Sequence, residues 1–281
     1  MKNILISGST GLVGSRITDL LRLDFNFIPL LATEVDFIDK VKVGQFVKSK
    51  DFDIFLHLGA YTNVNGAELE KDLAHNINVN GTRNVFNSVL KKGKKFVYIS
   101  TDYVFSGVDK EIVYVEDSKP NPKGVYAKTK YEGEKIVNNK GMILRIAYPY
   151  RAQFEDKKDF VSSIRLILER GQEINAVTDS FITPTFIDDI AQALKHLLQN
   201  YSPEIYHIVG SDSLTPYNAS KLIAQKFNLD PDLVKPLSFS SYFKDYATIR
   251  PQYSAMKSIK NNFYKMKTFE QGLDEIVKQL V

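Results

Sequence analysis

A tyrosine and a lysine four residues apart are the side chains of this sequence whose types and spacing suit proton transfer. Tyr126 and Lys130 lie in the run from Val125 to Glu134. In a helix this spacing places both side chains on one face, one turn apart. A nearby ammonium favours the phenolate and lowers the pKa of a tyrosine. We expect the pair to give a proton to a carbonyl oxygen as hydride reaches its carbon, or to remove one in reverse.

A glycine-rich turn near the start of the chain indicates a source for that hydride. Gly8, Gly11 and Gly14 follow an apolar run and open an amphipathic segment that ends near Leu23. A strand, a glycine turn and a helix in this order are typical of a dinucleotide-binding unit. In such a unit the glycines permit the turn, let the backbone approach the pyrophosphate and let the helix pack on the strand. We therefore expect NADPH or NADH as the cofactor.

The turn after the second strand bears on the choice between the two cofactors. Glu34 follows that strand, and no Arg or Lys lies in the turn. A carboxylate there suits a free ribose 2′-hydroxyl and opposes a 2′-phosphate, which favours NADH weakly. The alternative is that Glu34 is a charged residue of a solvated loop.

Strand and helix patterns alternate through residue 147 and must position these groups. The β-type runs are at residues 2–7, 27–32, 53–58, 96–100 and 142–147, with helical patterns between them that include a long one over 68–91. This alternation predicts an α/β fold with a Rossmann-type doubly wound parallel sheet. Thr101 follows the fourth strand, at the sheet edge where ligands bind. Its hydroxyl can hold a substrate carbonyl, or it is a cap or turn residue.

The pattern changes beyond residue 150 and predicts a second lobe. We assign residues 1–150 to a dinucleotide-binding Rossmann domain, with a segment near 175–200 returning to it, and residues 151–281 mainly to a smaller C-terminal substrate-binding lobe. Later elements are predicted at residues 159–170, 188–198, 205–209, 218–226 and 269–280. Residues 231–260 show little periodicity.

Bulk properties exclude several classes of function. The 281 residues are 43% hydrophobic and 25% charged, which is ordinary for a globular protein. The net charge is +4 without a basic block, so neither nucleic acid nor a membrane surface is an expected partner. Cysteine is absent and the four histidines are dispersed, so we expect no metal site. The absence of cysteine agrees with a cytoplasmic protein.

Several motifs together resemble the dTDP-4-dehydrorhamnose reductase family, within the extended short-chain dehydrogenases/reductases. The similarity covers essentially the whole chain, and its most specific part is the run from Ser100 to Phe105. The matching stretches are residues 8–14, 59–68, 100–107, 114–117 with Pro120 and Pro122, 125–134, 183–185, and Arg250, Pro251 and Ser254.

The resemblance implies NAD(P)H-dependent reduction of the C4 ketone of dTDP-4-dehydrorhamnose to dTDP-L-rhamnose. It implies that Tyr126 protonates the developing alkoxide, that Lys130 lowers the tyrosine pKa and binds the nicotinamide ribose, and that Thr101 fixes the carbonyl. Residues implied along the cofactor are Gly8, Thr10, Gly11, Leu12, Val13, Asp36, Phe37, Gly59, Ala60, Tyr61, Asn78, Tyr126 and Lys130. Residues implied to face the sugar are Thr62, Val64, Thr101, Tyr103 and Tyr148. A homodimer is left open.

Related chemistries remain as alternatives. Dehydratases of this superfamily typically place two carboxylates after the threonine, whereas here Asp102 is followed by Tyr103. A reductase, which needs only hydride and one proton, fits better. Two departures from the family pattern, Asn65 for an acid and Tyr148-Pro149 for Trp-Val, put the sugar in doubt more than the chemistry. A reductase or epimerase of another nucleotide-linked keto sugar, or a non-catalytic dinucleotide binder like the regulatory subunit of methionine adenosyltransferase, is therefore also considered.

Overall fold

A six-stranded parallel sheet is the central element of the computed structural model, which describes residues 1–246 and 248–280. The strands within these residues are β1 Lys2–Ser7, β2 Phe25–Leu30, β3 Ile54–His57, β4 Lys95–Thr101, β5 Met142–Ile146, β6 Pro149–Tyr150, β7 Ile174–Val177, β8 Thr185–Phe186, β9 Ile205–His207 and β10 Val234–Leu237. The main sheet has the order β2-β1-β3-β4-β5-β9, and β7/β10 and β6/β8 form two small parallel pairs.

Helices cover both faces of the main sheet and build the region beyond it. They are α1 Leu12–Leu21, α2 Lys40–Ser49, α3 Val64–Leu69, α4 Lys71–His75, α5 Thr82–Lys91, α6 Val125–Val137, α7 Phe160–Glu169, α8 Ile187–Gln199, α9 Pro216–Lys226, α10 Phe239–Tyr242 and α11 Phe269–Leu280. Local capping explains several of the starts. Asp159 and Ser162 form a reciprocal capping box at α7, and Thr215 caps α9, which begins with Pro216.

Alternating side chains of the buried strands form a core on each face of the sheet. Ile4 and Ile6 pack with α1 and α8 on one face, and Leu5 packs with α2 and α5 on the other. A third apolar cluster lies among α7, α9 and α11. The predicted α/β fold with a Rossmann-type parallel sheet is therefore confirmed. The domain boundary near residue 150 stays a prediction.

The strand order places a switch point next to the glycine turn. After β1 the chain moves to one side for β2 and then returns to the other side for β3. The carboxyl ends of all six strands lie at one edge, because every pairing in this sheet is parallel. Ligands of open α/β sheets bind at this edge, at such a switch point.

The helix predicted over residues 68–91 is interrupted, and the interval 231–260 contains regular structure. Glu70 leaves the helical conformation with φ −112° and ψ 52°, and residues 76–81 form a π-helical turn before α5. The β10 strand and α10 lie in the segment that showed little periodicity. β10 is a short strand held by its parallel partner β7, a long-range pairing that a local pattern does not report.

A buried ion pair joins α6 to β5. Arg145 donates to the two carboxylate oxygens of Glu134 at 2.9 and 2.7 Å, and both side chains are at most 3% exposed. The Glu134 carboxylate sits one turn beyond Lys130 on the helix that carries the proton-transfer pair. Removal of one partner would leave the other charge buried without compensation.

We expect Arg145→Met to lower the free energy of unfolding by about 3–5 kcal/mol, because the buried Glu134 would lose the one ion pair that it forms with the described residues. The double variant Arg145→Met/Glu134→Met should recover most of this loss. Arg22→Met is the control: Arg22 pairs with Asp19 at 2.6 Å, but both side chains are more than half exposed, so its cost should stay below about 1 kcal/mol. Urea denaturation measures all three, and equal losses for Arg145→Met and Arg22→Met would contradict the expectation.

Candidate active site

A cavity of about 670 Å³ opens at the carboxyl edge of the main sheet. It runs from the glycine turn after β1 to the start of α6, and thus brings together residues far apart in sequence. The sequence-predicted residues that line it are Gly8, Thr10, Gly11, Leu12, Val13, Asp36, Phe37, Gly59, Ala60, Thr62, Thr101, Tyr126, Lys130 and Tyr148. Their assignment to particular ligand groups stays a prediction.

The glycine turn has a geometry that side chains would prevent. Gly8 has φ +72°, and a Cβ atom there would lie 2.8 Å from the backbone nitrogen of Gly59. A Cβ atom on Gly14 would lie 2.2 Å from the carbonyl oxygen of Gly8. No side chain caps the start of α1 at Gly11. The first N–H groups of α1 and its positive end can therefore meet an anion such as a pyrophosphate.

The side chain of Ser7, at the end of β1, holds the residues that follow β3. Its Oγ accepts a hydrogen bond from the Gly59 backbone N–H at 3.1 Å and bonds Nδ1 of His57 at 2.7 Å. Burial lowers the pKa of His57 to about 3, with a smaller contribution from the Lys130 charge. This histidine is a neutral core residue.

The Lys130 side chain is anchored to the end of β4. Its Nζ donates to the Ile99 carbonyl oxygen at 2.8 Å and lies 4.1 Å above the Tyr98 ring centroid. Burial lowers the pKa of Lys130 to about 7, although the Glu134 carboxylate raises it. An ammonium has three donors, so two of them remain for other acceptors.

The pKa of Tyr126 is raised in this structure, whereas the spacing to Lys130 alone predicts a lowered pKa. Burial raises the pKa of Tyr126, and a hydrogen bond with Thr101 lowers it in part. The Lys130 ammonium faces the Ile99 carbonyl and the Tyr98 ring. The net effect on Tyr126 is a raised pKa, and the lowering by Lys130 that the spacing predicts stays a prediction.

Thr101 lies at the end of β4 and is both a cap and a cavity residue. Its Oγ1 accepts from the Tyr103 N–H at 3.3 Å and donates to Oδ1 of Asp102 at 3.0 Å. Asp102 lines the same cavity but is 3% exposed, and burial raises its pKa to about 6. Asp102 is not among the site residues predicted from the sequence, although its position directly after Thr101 was a signal.

Four predicted site residues are not part of the cavity lining: Tyr61, Val64, Asn78 and Tyr103. Tyr61 and Asn78 bind each other: the Tyr61 N–H donates to Asn78 Oδ1 at 2.7 Å, and Asn78 Nδ2 donates to the Tyr61 carbonyl at 3.1 Å. Val64 begins α3, and Tyr103 lies behind Tyr126 with the two rings edge to face. Their roles as ligand contacts stay predictions.

Other cavity residues were not found from the sequence. Lys157 reaches the wall through a hydrogen bond to Thr62 Oγ1 at 3.2 Å, from a segment without regular structure and without a motif.

Arg250 and Tyr148 have contacts or a conformation that the sequence does not predict. Arg250 donates to Tyr103 Oη at 2.9 Å. Tyr148 has φ +41°, a backbone conformation that costs a non-glycine residue about 1–2 kcal/mol. Strained residues of this kind concentrate at functional sites.

Two kinds of feature are absent from residues 1–246 and 248–280. In that part of the chain, no helix has both the length and the apolar character that a membrane crossing requires. Within the same residues, no group of three or more histidine and carboxylate side chains is arranged to hold a metal ion.

The parallel sheet, the glycine turn at its switch point, and Thr101, Tyr126 and Lys130 in one cavity define a Rossmann-type oxidoreductase. The chain belongs to the family described as the RmlD substrate binding domain, whose model matches residues 1–281. The resemblance to dTDP-4-dehydrorhamnose reductases and the prediction of an oxidoreductase are thereby confirmed.

Known relatives agree with this family. The chain is 26% identical over 288 residues to dTDP-4-dehydrorhamnose reductase of Mycolicibacterium smegmatis, covering 100% of the chain and 86% of that protein. It superposes with a TM-score of 0.91 and 29% identity on a crystal structure of dTDP-4-dehydrorhamnose reductase from Bacillus anthracis in complex with NADP, covering 99% of each chain. That complex agrees with the predicted NAD(P)H cofactor class. Methionine adenosyltransferase 2 subunit beta of Xenopus tropicalis is 26% identical over 294 residues, covering 98% of the chain and 86% of that protein.

We expect Gly14→Ala to raise the dissociation constant of NADPH by about tenfold or more, because the added methyl group must push the start of α1 away from Gly8. Gly44→Ala in α2 is the control, since its Cβ would meet only Ser88 Oγ at 3.9 Å. Fluorescence titration of the bound nicotinamide measures both. An unchanged dissociation constant in Gly14→Ala would show that the close approach at the turn does not support cofactor binding.

Proposed function

We propose that this protein catalyses the NAD(P)H-dependent reduction of the C4 ketone of dTDP-4-dehydro-6-deoxy-L-mannose (dTDP-4-dehydrorhamnose) to dTDP-L-rhamnose. The observation that carries the proposal is the position of Thr101, Tyr126 and Lys130 in the wall of the same cavity as the glycine turn. A hydride donor bound at the turn and a proton donor on α6 would then face one substrate. The family membership supports the same substrate class.

Each residue of the trio has a distinct proposed role. When bound, the reduced nicotinamide supplies the hydride to C4 of the sugar. Tyr126 donates its hydroxyl proton to the ketone oxygen, which becomes the alcohol. Lys130, with two N–H donors beyond the one given to Ile99, holds the nicotinamide ribose. Thr101 hydrogen-bonds Tyr126 and fixes the position of the carbonyl.

The electrostatics of the site support the direction of reduction. Because burial raises the pKa of Tyr126, the tyrosine is protonated at neutral pH and carries the proton that the reduction needs. Asp36 and Asp102 are the carboxyl side chains among the described cavity residues, and Asp36 lies in the turn after β2, away from α6. Dehydration needs an acid and a base near the sugar, so this wall suits ketone reduction better.

A different sugar and a regulatory role are the alternatives to this proposal. Asn65 accepts hydrogen bonds from Thr248 Oγ1 and Arg250 Nη2 at 3.0 and 2.8 Å, where the family pattern often has an acid. The strained Tyr148 precedes Pro149, and both residues line the cavity. These differences leave another nucleotide-linked 4-keto sugar open. The subunit beta relative leaves open a dinucleotide binder without turnover. The possible homodimer stays open, and the cytoplasmic location stays a prediction.

We expect Tyr126→Phe to lower kcat for the keto-sugar substrate by at least about a hundredfold, the contribution of a general acid. Tyr131→Phe is the control, because Tyr131 lies on the same helix and packs outside the cavity against the cluster around Phe105. Oxidation of NADPH is followed at saturating keto sugar generated in situ from its precursor.

The outcomes of this experiment separate the alternatives. Turnover of dTDP-4-dehydrorhamnose with loss of activity only in Tyr126→Phe supports the proposal. Wild-type turnover of other nucleotide-linked keto sugars, but not of this one, would assign a different sugar. Tight binding of NADPH without turnover of any keto sugar would favour the regulatory class.

We expect kcat/KM with NADPH and with NADH to differ by less than about tenfold. Glu34 and Asp36 place negative charge in the turn after β2, which opposes a 2′-phosphate, and the cavity lysines bond Ile99 and Thr62. Asp36→Asn should therefore shift the ratio toward NADPH. A strong NADPH preference that disappears on mutation of a basic residue elsewhere would show that this turn does not set the preference.

A further inference from the structure

Asp102 is a buried carboxyl that the proposed reaction does not yet use. It is 3% exposed, and its Oδ1 accepts a hydrogen bond from the Thr101 hydroxyl at 3.0 Å. Its Oδ2 is buried and makes no direct hydrogen bond to a described residue, and the nearby Ser254 hydroxyl lowers the pKa of Asp102 in part. Among the described residues no Lys, Arg or His forms an ion pair with it. A buried carboxylate without a charge partner is costly, so its protonated form is favoured here more than at the protein surface.

The single proton of the Thr101 hydroxyl links Asp102 to the catalytic tyrosine. When Asp102 is ionised, Thr101 gives that proton to Oδ1 and cannot also give it to Tyr126 or to a ketone. When Asp102 is protonated, the carboxyl can donate to Thr101 Oγ1, and the threonine proton is free to turn toward Tyr126. Thr101 bonds Asp102 directly and shares the cavity wall with Tyr126, whose pKa it lowers in part, so the three groups are placed in line for proton transfer.

We propose that Asp102 returns a proton to Tyr126 through Thr101 after each turnover, an inference that rests on the proposed ketone reduction. In the reduction, Tyr126 loses its proton to the sugar oxygen and becomes a phenolate. The phenolate then takes the hydroxyl proton of Thr101, and Thr101 Oγ1 takes the carboxyl proton of Asp102. Water in the cavity, which Asp102 lines, reprotonates the carboxylate. One proton enters for each hydride transferred.

The groups around Asp102 favour this direction of transfer. Its neighbours are Tyr103 beside it, Tyr126 of α6, Tyr148 after β5 and Ser254 from the C-terminal region. Arg250 donates to Tyr103 and is the cation on that side. Burial raises the pKa of Asp102 to about 6, but the pKa of Tyr126 is above 10. A proton therefore moves downhill from the carboxyl to the phenolate.

The number of turnovers distinguishes a relay from a fixed contact. In Asp102→Asn, Tyr126 still carries its own proton, so the first turnover should keep a rate within about threefold of wild type. Later turnovers require a new proton, so the steady-state rate at pH 6 should fall about tenfold or more. Stopped-flow measurement of NADPH oxidation compares the first turnover with the steady state. Asp159→Asn is the control, because Asp159 is a buried carboxyl that caps α7 outside the cavity.

The pH dependence provides a second readout. A raised pKa means that Asp102 holds its proton below about pH 6 and loses it as the pH rises through that value. The steady-state rate of reduction should therefore fall through this range in the wild type, and this limb should be absent in Asp102→Asn. Tyr126→Phe/Asp102→Asn should be no slower than Tyr126→Phe alone, because the relay has no function without the tyrosine.

Several outcomes would overturn the proposal. Equal losses in the first turnover and the steady state would show that Asp102 only holds Thr101 in place, and no loss in either would show that it has no role. If the wild type turns over no keto sugar, the proposed function fails separately. Infrared titration tests the protonation of Asp102 independently of turnover: a protonated carboxyl band below about pH 6, lost in Asp102→Asn, supports the proton store that the relay requires. A carboxyl that stays ionised from about pH 5 to 8 overturns it.

Discussion

The attachment of α6 to the sheet is the interaction on which the candidate active site depends. The Glu134–Arg145 pair fixes the helix to β5, and the Lys130 ammonium fixes it to the end of β4 through the Ile99 carbonyl. Both contacts are buried and charge-assisted, and such contacts are shorter and stronger than neutral hydrogen bonds. Tyr126, one turn before Lys130, therefore has little freedom to move relative to Thr101 at the end of the same strand.

Burial gives this site a chemistry that the same side chains would lack in water. Desolvation disfavours every charged form, so it lowers the pKa of Lys130 and raises those of Tyr126 and Asp102. The cavity wall therefore contains Tyr126, which is protonated at neutral pH, and Asp102, a carboxyl with a pKa of about 6. Pairs of groups whose pKa values are pushed apart are a common basis for acid–base assignment in enzymes.

Much of the fold follows from local sequence signals, because strand and helix periodicity report burial directly. α11 and β1 occupy the predicted residues, and Gly8 and Gly14 mark close approaches that only glycine permits. The parallel order of the sheet then brings Thr101 and Tyr126 together. The partner of the Lys130 ammonium, the positive φ of Tyr148 and the place of Lys157 depend on tertiary contacts, which no local pattern encodes. The interruption of the helix over 68–91 has a similar cause, since Asn78 turns inward to hold the Tyr61 backbone.

The pairing of β9 with β5 has a consequence for biosynthesis. β9 ends at His207, about 60 residues after β5, and supplies the sixth strand and the last edge of the main sheet. While the chain emerges from the ribosome, β5 is an open strand edge until this segment has been translated, and such edges are prone to wrong pairing. The nascent protein therefore completes its main sheet late, so a ribosome stall before His207 would leave the open β5 edge as a target for chaperones.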